Sequence, residues 1–367
     1  MNNINISIKV IEEKKIDDNF NNYLVLEFNG DINNIIMNTL RRVIIELIPV
    51  YAFDKEDIKI SKNTSIYNND YMKLRLSQFP IYNIDNNINN INKVSSLEEA
   101  TNLSSYEYKL ENIEKIQTIE NLKNIEKSNN FTMTINVKNT TNTIMNITTD
   151  STTTSYYYNG INVSSPYKKP LLIIKLKPNE EFNCTAISSL NIGLKNIIYS
   201  PVSVCVFSEI NLKKFLLNIE SLKQISEREL IIRACDIIKI KINNLIDIII
   251  KKINTYNSDK IGNQQVSLTT QDSSSTFQNS SVSIEEHYIK GIIIIENESH
   301  TFGNLITRYL QDHPNILFAG YKIDHLLVKE LTIAYKTDDT NIINIFREIE
   351  LYNNNLFDNI KKNIYKI

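Results

Sequence analysis

The sequence predicts an α+β protein that contains one strand–helix unit twice. Residues 28–53 are typical of a strand end, a tight turn and an amphipathic helix, and residues 292–321 repeat that pattern near the C-terminus. Between the two copies, residues 131–178 are rich in β-branched residues that alternate with polar ones. Together these observations predict helices packed on antiparallel sheets.

The first helix is defined by a break, an apolar stripe and a stop. Gly30 breaks the preceding strand, and Asp31 is the expected N-cap because its carboxylate can accept hydrogen bonds from the first turn. Arg41 and Arg42 fall on the polar side, and Pro49 ends the helix. Apolar residues recur at steps of three and four and so share one face: Ile32, Ile35, Ile36, Leu40, Val43, Ile44 and Leu47.

The second helix carries a stripe of the same kind, formed by Phe302, Leu305, Ile306, Tyr309 and Leu310. Aligning the two stretches pairs residues of like character: Asn38 with Asn304, Leu40 with Ile306, Arg42 with Arg308 and Ile44 with Leu310. A lone strand–helix unit cannot bury its apolar face, so two interpretations are open. Either the copies pack against each other about a pseudo-two-fold axis, or each helix covers its own sheet independently.

The other elements of the first two thirds follow in chain order. Strands are predicted at 4–12, 22–29 and 52–60, then a short helix at 68–79. Residues 83–130 are predicted to form an irregular or partly helical excursion. Further strands are predicted at 131–139, 143–149, 170–178, 202–210 and 215–220, with a loop at 191–203.

The last third contains a long helix, a linker and the second unit. Ser226 and Glu229 form a capping box, in which the Glu229 carboxylate is expected to reach the Ser226 amide, and they open the long helix. Residues 255–283 are polar and poor in aliphatic residues, which predicts a flexible linker. The second unit is predicted to have strands at 288–296, 315–323 and 327–336 and a terminal helix from Thr340.

Length and composition bound the class of protein. A chain of 367 residues with 42% hydrophobic content can build two or three domains. The net charge of −2 provides no basic field, which disfavours a stand-alone nucleic-acid-binding protein. The three cysteines lack CxxC spacing, and no stretch has the apolar length of a signal peptide or a membrane span. We therefore expect a soluble intracellular protein.

Residues that could carry chemistry are scattered along the chain. The four histidines are more than ten residues apart and none neighbours a cysteine, so no metal site is expected. No glycine-rich phosphate loop or nucleophile motif occurs, so neither catalytic residues nor a cofactor are expected. The dipeptide Arg41-Arg42 has two interpretations: solvated surface arginines, or guanidinium groups that bind partner carboxylates. Ile45 lies on the same outward face and favours the protein interface.

At these residues the sequence resembles a known family. The matching stretches are 38–65, 71–81, 131–139, 170–182, 191–207 and 218–238. They resemble the alpha-like assembly subunits of DNA-directed RNA polymerase, namely the third-largest eukaryotic subunit, the archaeal D subunit and the bacterial alpha N-terminal domain. Residues 296–325 are similar to the partner of that subunit, the eleventh subunit of polymerase II or the archaeal L subunit.

The resemblance implies that two subunits, separate chains elsewhere in the family, are fused here, as in large cytoplasmic DNA viruses. The fold it implies has two alpha-like dimerisation units packed as an intramolecular pseudo-dimer, plus an inserted mainly-β domain. The implied domains are a dimerisation domain (1–50 and 201–254), the inserted domain (51–200), a linker (255–284) and an eleventh-subunit-like domain (285–367). The linker has only to span the two halves, so its sequence should be replaceable.

The implied function is that of a non-catalytic assembly subunit, a platform on which the largest and second-largest polymerase subunits assemble for transcription. The resemblance places Arg41, Arg42, Ile45 and Thr64 against the second-largest subunit. It places nine apolar residues in the pseudo-dimer core: Ile36, Leu40, Val43, Leu47, Phe302, Leu305, Ile306, Tyr309 and Phe346.

Partners and location follow from the same resemblance. The other expected partners are small polymerase subunits, with nucleic acid contacted only through the complex and no homo-oligomer. The expected location is the cytoplasm, in a viral factory and also in the virion if the source is a large DNA virus; the alternative is the nucleus. Two rival functions are a self-sufficient enzyme and a self-assembling structural protein.

The chain departs from the family pattern at three places. Many relatives carry cysteine clusters for zinc or an iron–sulfur cluster in the inserted domain, and residues 82–130 contain no cysteine. The usual His-Ala-Lys-Trp before Ser-Pro is replaced at residues 196–199, and the Pro-His-Pro of the partner subunit is replaced at residues 324–326. No metal cluster is therefore expected, and specific contacts of the first loop are in doubt.

Overall fold

The computed structural model describes residues 4–14, 22–82, 131–158, 160–262, 282–285, 288–296, 298–325, 328–338 and 342–367. The strands are β1 (Ile6–Lys14), β2 (Asn22–Gly30), β3 (Val50–Asn63), β4 (Phe131–Lys138), β5 (Met145–Thr148), β6 (Thr154–Tyr158), β7 (Ile161–Val163), β8 (Leu172–Leu176), β9 (Glu181–Asn191), β10 (Val202–Asn211), β11 (Lys214–Ser221), β12 (Val282–Glu285), β13 (Tyr288–Glu296), β14 (Ile316–His325) and β15 (Val328–Thr337). The α-helices are α1 (Asn34–Glu46), α2 (Asn69–Ser77), α3 (Glu227–Gly262), α4 (His300–Gln311) and α5 (Ile342–Ile364).

Two four-stranded antiparallel sheets have the same topology. The first has the order β1-β2-β11-β10 and the second the order β12-β13-β15-β14. In each, a strand pair leads into an amphipathic helix, and a second strand pair leads into a long helix. When Asn38 is aligned with Asn304, β2 and β13 coincide from end to end, and α1 and α4 begin at the same position. The internal repeat predicted from the apolar stripes is thus a repeat of whole supersecondary units.

Both repeated units contribute to one hydrophobic core. The helix α1 contacts α3 and α4, and the long helices α3 and α5 contact each other. At the far end of α5, the side-chain amides of Asn359 and Asn363 donate hydrogen bonds to the backbone carbonyls of Ile4 (2.9 Å) and Ile6 (2.8 Å). The C-terminal helix of the second unit therefore covers the edge strand β1 of the first.

A separate sheet and core are built by the chain between α1 and β10. This sheet has the order β3-β9-β4-β6-β7, with a two-stranded β5-β8 sheet beside it. Its buried residues form their own cluster, with the rings of Phe131 and Tyr156 stacked at 5.7 Å between centroids. The first unit is therefore interrupted after α1 by a part of the chain that buries its own apolar surface.

The predicted N-cap of α1 is wrong. Asn33 caps the helix, and its side-chain oxygen accepts a hydrogen bond of 2.9 Å from the amide of Ile36. The carboxylate of Asp31 instead accepts a hydrogen bond of 3.0 Å from the amide of Asn5 in the neighbouring segment. A tertiary hydrogen bond therefore engages Asp31, the residue that local capping preference predicts as the N-cap.

The capping box of α3 is only half formed. The Glu229 amide donates to the Ser226 hydroxyl at 3.4 Å, but the Glu229 carboxylate accepts from Arg233 Nε at 2.8 Å. The helix also continues to Gly262, so the start of the stretch predicted as a linker is helical. Most of that stretch, and the predicted excursion at 83–130, lie outside the described residues.

Four strands were not predicted from the sequence, namely β6, β7, β9 and β12, and β12 begins inside the stretch predicted as a linker. The most important is β9, which lies between β3 and β4 in the sheet. Its residues alternate strictly between buried and partly exposed over most of its length, but its buried side chains include Cys184, Ala186 and Ser188. Small and weakly apolar inward residues hide the alternation from a hydrophobicity pattern. In the described part of the chain, no helix is long and apolar enough to cross a bilayer.

Candidate functional site

The outward side of α1 is the candidate site. The inner face of the helix is held in the core by Ile36, Leu40 and Val43, all buried. This anchoring fixes the rotation of the helix, so Arg41 and Arg42 stand partly exposed on the other side. Rigid placement of this kind lowers the entropic cost of binding for long side chains.

Arg41 is held by its own helix. Its Nε and Nη2 donate hydrogen bonds of 3.1 and 3.0 Å to the side-chain oxygen of Asn38, one turn earlier. The guanidinium lies close enough to the neighbouring strand β10 for its charge to act on Cys205. A guanidinium with two of its five donors engaged keeps the others for a partner carboxylate.

Arg42 forms an ion pair within the helix. Its Nη2 lies 2.9 Å from Glu46 Oε1 and 3.1 Å from Oε2, and both side chains are partly exposed. An exposed pair of this spacing contributes only about 0.3–0.5 kcal/mol, so a partner can displace it at small cost. The Nε of Arg42 is buried and has no hydrogen-bond partner among the described residues. Because this Nε is buried, it is not available to a partner carboxylate in the described conformation.

Ile45 is less exposed than the sequence implied, because a loop covers part of it. The amide of Leu194 donates a 2.8 Å hydrogen bond to the carbonyl of Glu46, and Gly193 approaches the carbonyl of Ile45 closely. Ile45 is partly buried as a result. The same loop presents two apolar side chains, Leu194 at 59% and Ile197 at 69% exposure. Sequence reasoning missed both residues, since two apolar residues in a polar loop are not by themselves a signal.

Thr64 does not lie next to the arginines. It follows β3, where its hydroxyl accepts a 2.7 Å hydrogen bond from the amide of Glu181 and its own amide donates to the Glu181 carbonyl at 3.0 Å. The paired strand β9 runs from Glu181 to Asn191 beside β3, which corresponds to about 30 Å at 3.3 Å per residue. The four residues predicted to face one partner therefore form two groups at opposite ends of this strand pair.

The nine residues predicted for the pseudo-dimer core are all buried and lie in the cluster shared by both units: Ile36, Leu40, Val43, Leu47, Phe302, Leu305, Ile306, Tyr309 and Phe346. The contacts of α1 with α4 bring the two predicted stripes together. The hydroxyl of Tyr309 donates to the side-chain oxygen of Asn353 on α5 at 3.2 Å, which satisfies one polar group inside the core.

The cysteines are buried free thiols. Burial raises the pKa of Cys184 and Cys205 to about 12, and in Cys205 the charge of Arg41 opposes this only in part. Burial also raises the pKa of Cys235 above its ordinary value. Because the thiolate is the reactive form, these thiols are expected to be inert in the folded protein. The described residues contain no group of three or more His, Cys, Asp and Glu side chains arranged to hold a metal ion.

We predict that iodoacetamide at pH 8 leaves all three cysteines of the folded chain unmodified, and that it labels all three in urea. At that pH a thiol with a pKa near 12 is ionised in only about one molecule in ten thousand. Peptide mass spectrometry after timed labelling provides the measurement. Labelling of Cys184 or Cys205 at the rate seen in urea would contradict the burial described here.

Comparison with known proteins identifies the class. Residues 31–242 match the family described as the RNA polymerase Rpb3/Rpb11 dimerisation domain, and residues 290–362 match a second family of the same description. The chain belongs to this family, and it carries two such domains in one polypeptide. It is an assembly subunit of a DNA-directed RNA polymerase of the Rpb3/Rpb11 type. The resemblance stated from the sequence is confirmed.

Individual relatives agree with this class. A protein described as a DNA-directed RNA polymerase subunit of Acanthamoeba polyphaga mimivirus is 24% identical over 363 residues, which cover 92% of this chain and 87% of that protein. The DNA-directed RNA polymerase RPB3-11 homolog of African swine fever virus is 35% identical over 68 residues, 18% of this chain and 19% of that protein. The Rpo11 subunit of Sulfolobus acidocaldarius RNA polymerase is 32% identical over 83 residues, 21% of this chain and 90% of that protein.

Proposed function

We propose that the two dimerisation units pack against each other as an intramolecular pseudo-dimer. In this proposal, the pseudo-dimer is the alpha-like platform on which the largest and second-largest polymerase subunits assemble. The chain itself carries no catalytic residue in this proposal. The observation that supports it most directly is the single hydrophobic core to which both units contribute. A hydrophobic core shared by two units is typical of permanent subunit contacts.

Polar contacts between the long helices support the same arrangement. Lys361 Nζ lies 2.5 Å from Asp236 Oδ1, and Lys239 Nζ lies 2.6 Å from Asp358 Oδ1. Burial disfavours the charge of Lys361, yet the hydrogen bond and charge of Asp236 together raise its pKa above the usual value. Lys361 therefore stays charged at neutral pH and maintains the pairing.

Joining the units in one chain also favours pairing thermodynamically. A tether converts a bimolecular association into an intramolecular one, with an effective concentration on the order of millimolar for a short flexible connection. We therefore expect one chain per particle, and small polymerase subunits rather than a second copy as its other partners. Large homo-oligomers in light scattering would instead favour the alternative of a self-assembling structural protein.

The proposed surface for the second-largest subunit comprises Arg41, Arg42, Ile45 and Thr64. Because Thr64 and the end of α1 lie at opposite ends of the β3–β9 pair, which is about 30 Å long at about 3.3 Å per residue, a partner that contacts all four must be large. The guanidinium groups offer bidentate recognition of carboxylates, and Ile45 adds an apolar contact. This combination is typical of the residues that contribute most to binding energy at protein interfaces.

Replacing both arginines, Arg41→Ala with Arg42→Ala, is expected to leave the chain folded and to weaken capture of the second-largest subunit by about tenfold or more. Loss of a charged contact at an interface centre typically costs about 2 kcal/mol or more. The measurement is a quantitative pull-down of the second-largest subunit by the full chain over a range of salt concentrations.

A matched control is available in the second unit. Arg308 aligns with Arg42 and forms the same type of helical ion pair, with Nη2 2.9 Å from Asp312 Oδ1. Arg308→Ala should therefore cost the helix the same small amount while leaving capture unchanged. Undiminished capture by the double variant, or equal loss with Arg308→Ala, would count against the proposed surface.

Domain boundaries and location complete the proposal. We assign residues 1–50 and 201–262 to the first dimerisation domain, 51–200 to the inserted domain and 282–367 to the eleventh-subunit-like domain. The predicted boundaries at 254 and 285 move because α3 continues to Gly262 and β12 pairs with β13. The separate core between α1 and β10 supports the inserted domain. The viral polymerase proteins among the relatives support a cytoplasmic viral factory as the site of action.

A further inference from the structure

The contacts between α3 and α5 include a symmetric element. Each helix carries an Asp-x-x-Lys sequence, with Asp236 and Lys239 on α3 and Asp358 and Lys361 on α5. The helices run antiparallel here, since Asp236 pairs with Lys361 and Lys239 with Asp358. A pair of identical motifs related in this way is self-complementary. These ion pairs stabilise the antiparallel register of α3 and α5.

A second ion pair between the units has no symmetric counterpart. Lys241 on α3 places its Nζ 3.1 Å from Glu298 Oε1, just before α4. Both side chains are nearly buried, at 10% and 11% exposure. The same Nζ lies 5.3 Å from the centre of the Phe302 ring, which adds a cation–π contact. These contacts offset the cost of removing the Lys241 side chain from water.

The repeat shows what Lys241 would meet in a wrong pairing. Glu298 stands two residues before α4, and the equivalent position two residues before α1 is Ile32. Ile32 is buried in the shared core. If two copies of the first unit paired, each Lys241 would be placed against an isoleucine and would lose its carboxylate partner. An unpaired buried charge is among the most destabilising changes in a protein interior.

We propose that the Lys241–Glu298 pair determines which partner the first unit selects in the pseudo-dimer. It makes the first unit accept the second unit and reject another copy of itself. This inference rests on the proposed pairing of the two units. The symmetric Asp-x-x-Lys contacts then supply affinity and register, while the asymmetric pair supplies the choice of partner. Selection by a penalty on the wrong complex is a general route to specificity.

The test uses the full chain with a protease site inserted between residues 263 and 281, cleaved after folding. Native mass spectrometry then measures the ratio of self-paired N-terminal pieces to mixed pairs. For the unsubstituted chain we expect mixed pairs only. Lys241→Met removes the charge but keeps most of the side-chain volume, and it is expected to bring the self-paired fraction to at least about ten times the detection limit.

Two further variants make the result specific. The charge exchange Lys241→Glu with Glu298→Lys should restore mixed pairs, whereas Lys241→Glu alone should lower Tm and weaken the mixed pair. The control is Arg347→Met, which removes the exposed ion pair with Asp247 (3.0 Å) and should leave the ratio unchanged.

The outcomes separate this inference from the proposed function. The cleaved Lys241→Met chain could yield only mixed pairs that are as stable as those of the unsubstituted chain. That result would overturn the selectivity role but not the pseudo-dimer. Complete separation of the two pieces of the unsubstituted chain on cleavage would overturn the proposed pseudo-dimer, and the selectivity role with it.

Discussion

Replacing Phe346 by alanine is expected to lower the free energy of unfolding by about 3–5 kcal/mol, the usual cost of deleting a fully buried phenylalanine ring. The side chain of Phe346 is fully buried on α5, in the core that both units share. Its ring meets that of Tyr335 edge-on, with 6.2 Å between centroids. The substitution removes this aromatic contact and leaves a cavity beneath the helix that packs on α3. Urea denaturation followed by circular dichroism measures the change.

The control lies on the same helix. Leu351→Ala introduces the same residue into α5 as Phe346→Ala does. It removes little buried surface, because Leu351 is 53% exposed. Its expected effect is within about 0.5 kcal/mol. Similar losses for the two variants would mean that α5 does not pack as described. A large loss for Phe346→Ala alone supports the shared core as the main source of stability between the units.

The second large effect is expected from Gly193→Ala. A Cβ at residue 193 would lie 2.2 Å from the carbonyl oxygen of Ile45, a backbone atom that cannot move aside without shifting α1. The loop must therefore lift, and the 2.8 Å hydrogen bond from the Leu194 amide to the Glu46 carbonyl is lost. Overpacking and one lost hydrogen bond together predict a cost of about 2–4 kcal/mol.

The effect of Gly193→Ala can be measured at two levels. Urea denaturation gives the free energy of unfolding, and limited proteolysis reports cleavage of the loop that holds Leu194 and Ile197. Gly160→Ala is the control, because nothing lies within 4 Å of its added Cβ and only its positive φ of 80° is unfavourable, at about 1 kcal/mol. Equal stability and equal resistance of the loop in both variants would refute the close approach.

Features with a local cause could be predicted from the sequence. The apolar stripes of α1 and α4 follow from side-chain spacing alone, and so does the outward placement of Arg41 and Arg42. The internal repeat was visible for the same reason, because both copies face the same packing requirement. Family resemblance then added the expected partners, which spacing could not supply.

Features that depend on distant contacts were not predictable from local patterns. The choice of Asn33 over Asp31 as N-cap depends on a hydrogen bond from Asn5. The strand β9 was not predicted because most of its inward side chains are small or weakly apolar, and only its neighbours on both sides make it a central strand. The exposure of Leu194 likewise follows from a loop contact with Glu46, far away in sequence. Each of these misses is a tertiary effect that overrides a weak local preference.

The hydrogen bonds from α5 to β1 have a consequence for the order in which the chain can be completed on the ribosome. Asn359 and Ile4 are separated by 355 residues, so these hydrogen bonds cannot form until α5 has been synthesised. At 5–20 residues per second this delay is about 20–70 s. During that time the outer edge of β1 is uncovered, and uncovered edges invite pairing with other nascent chains. Chains truncated before Asn359 should therefore depend on chaperones.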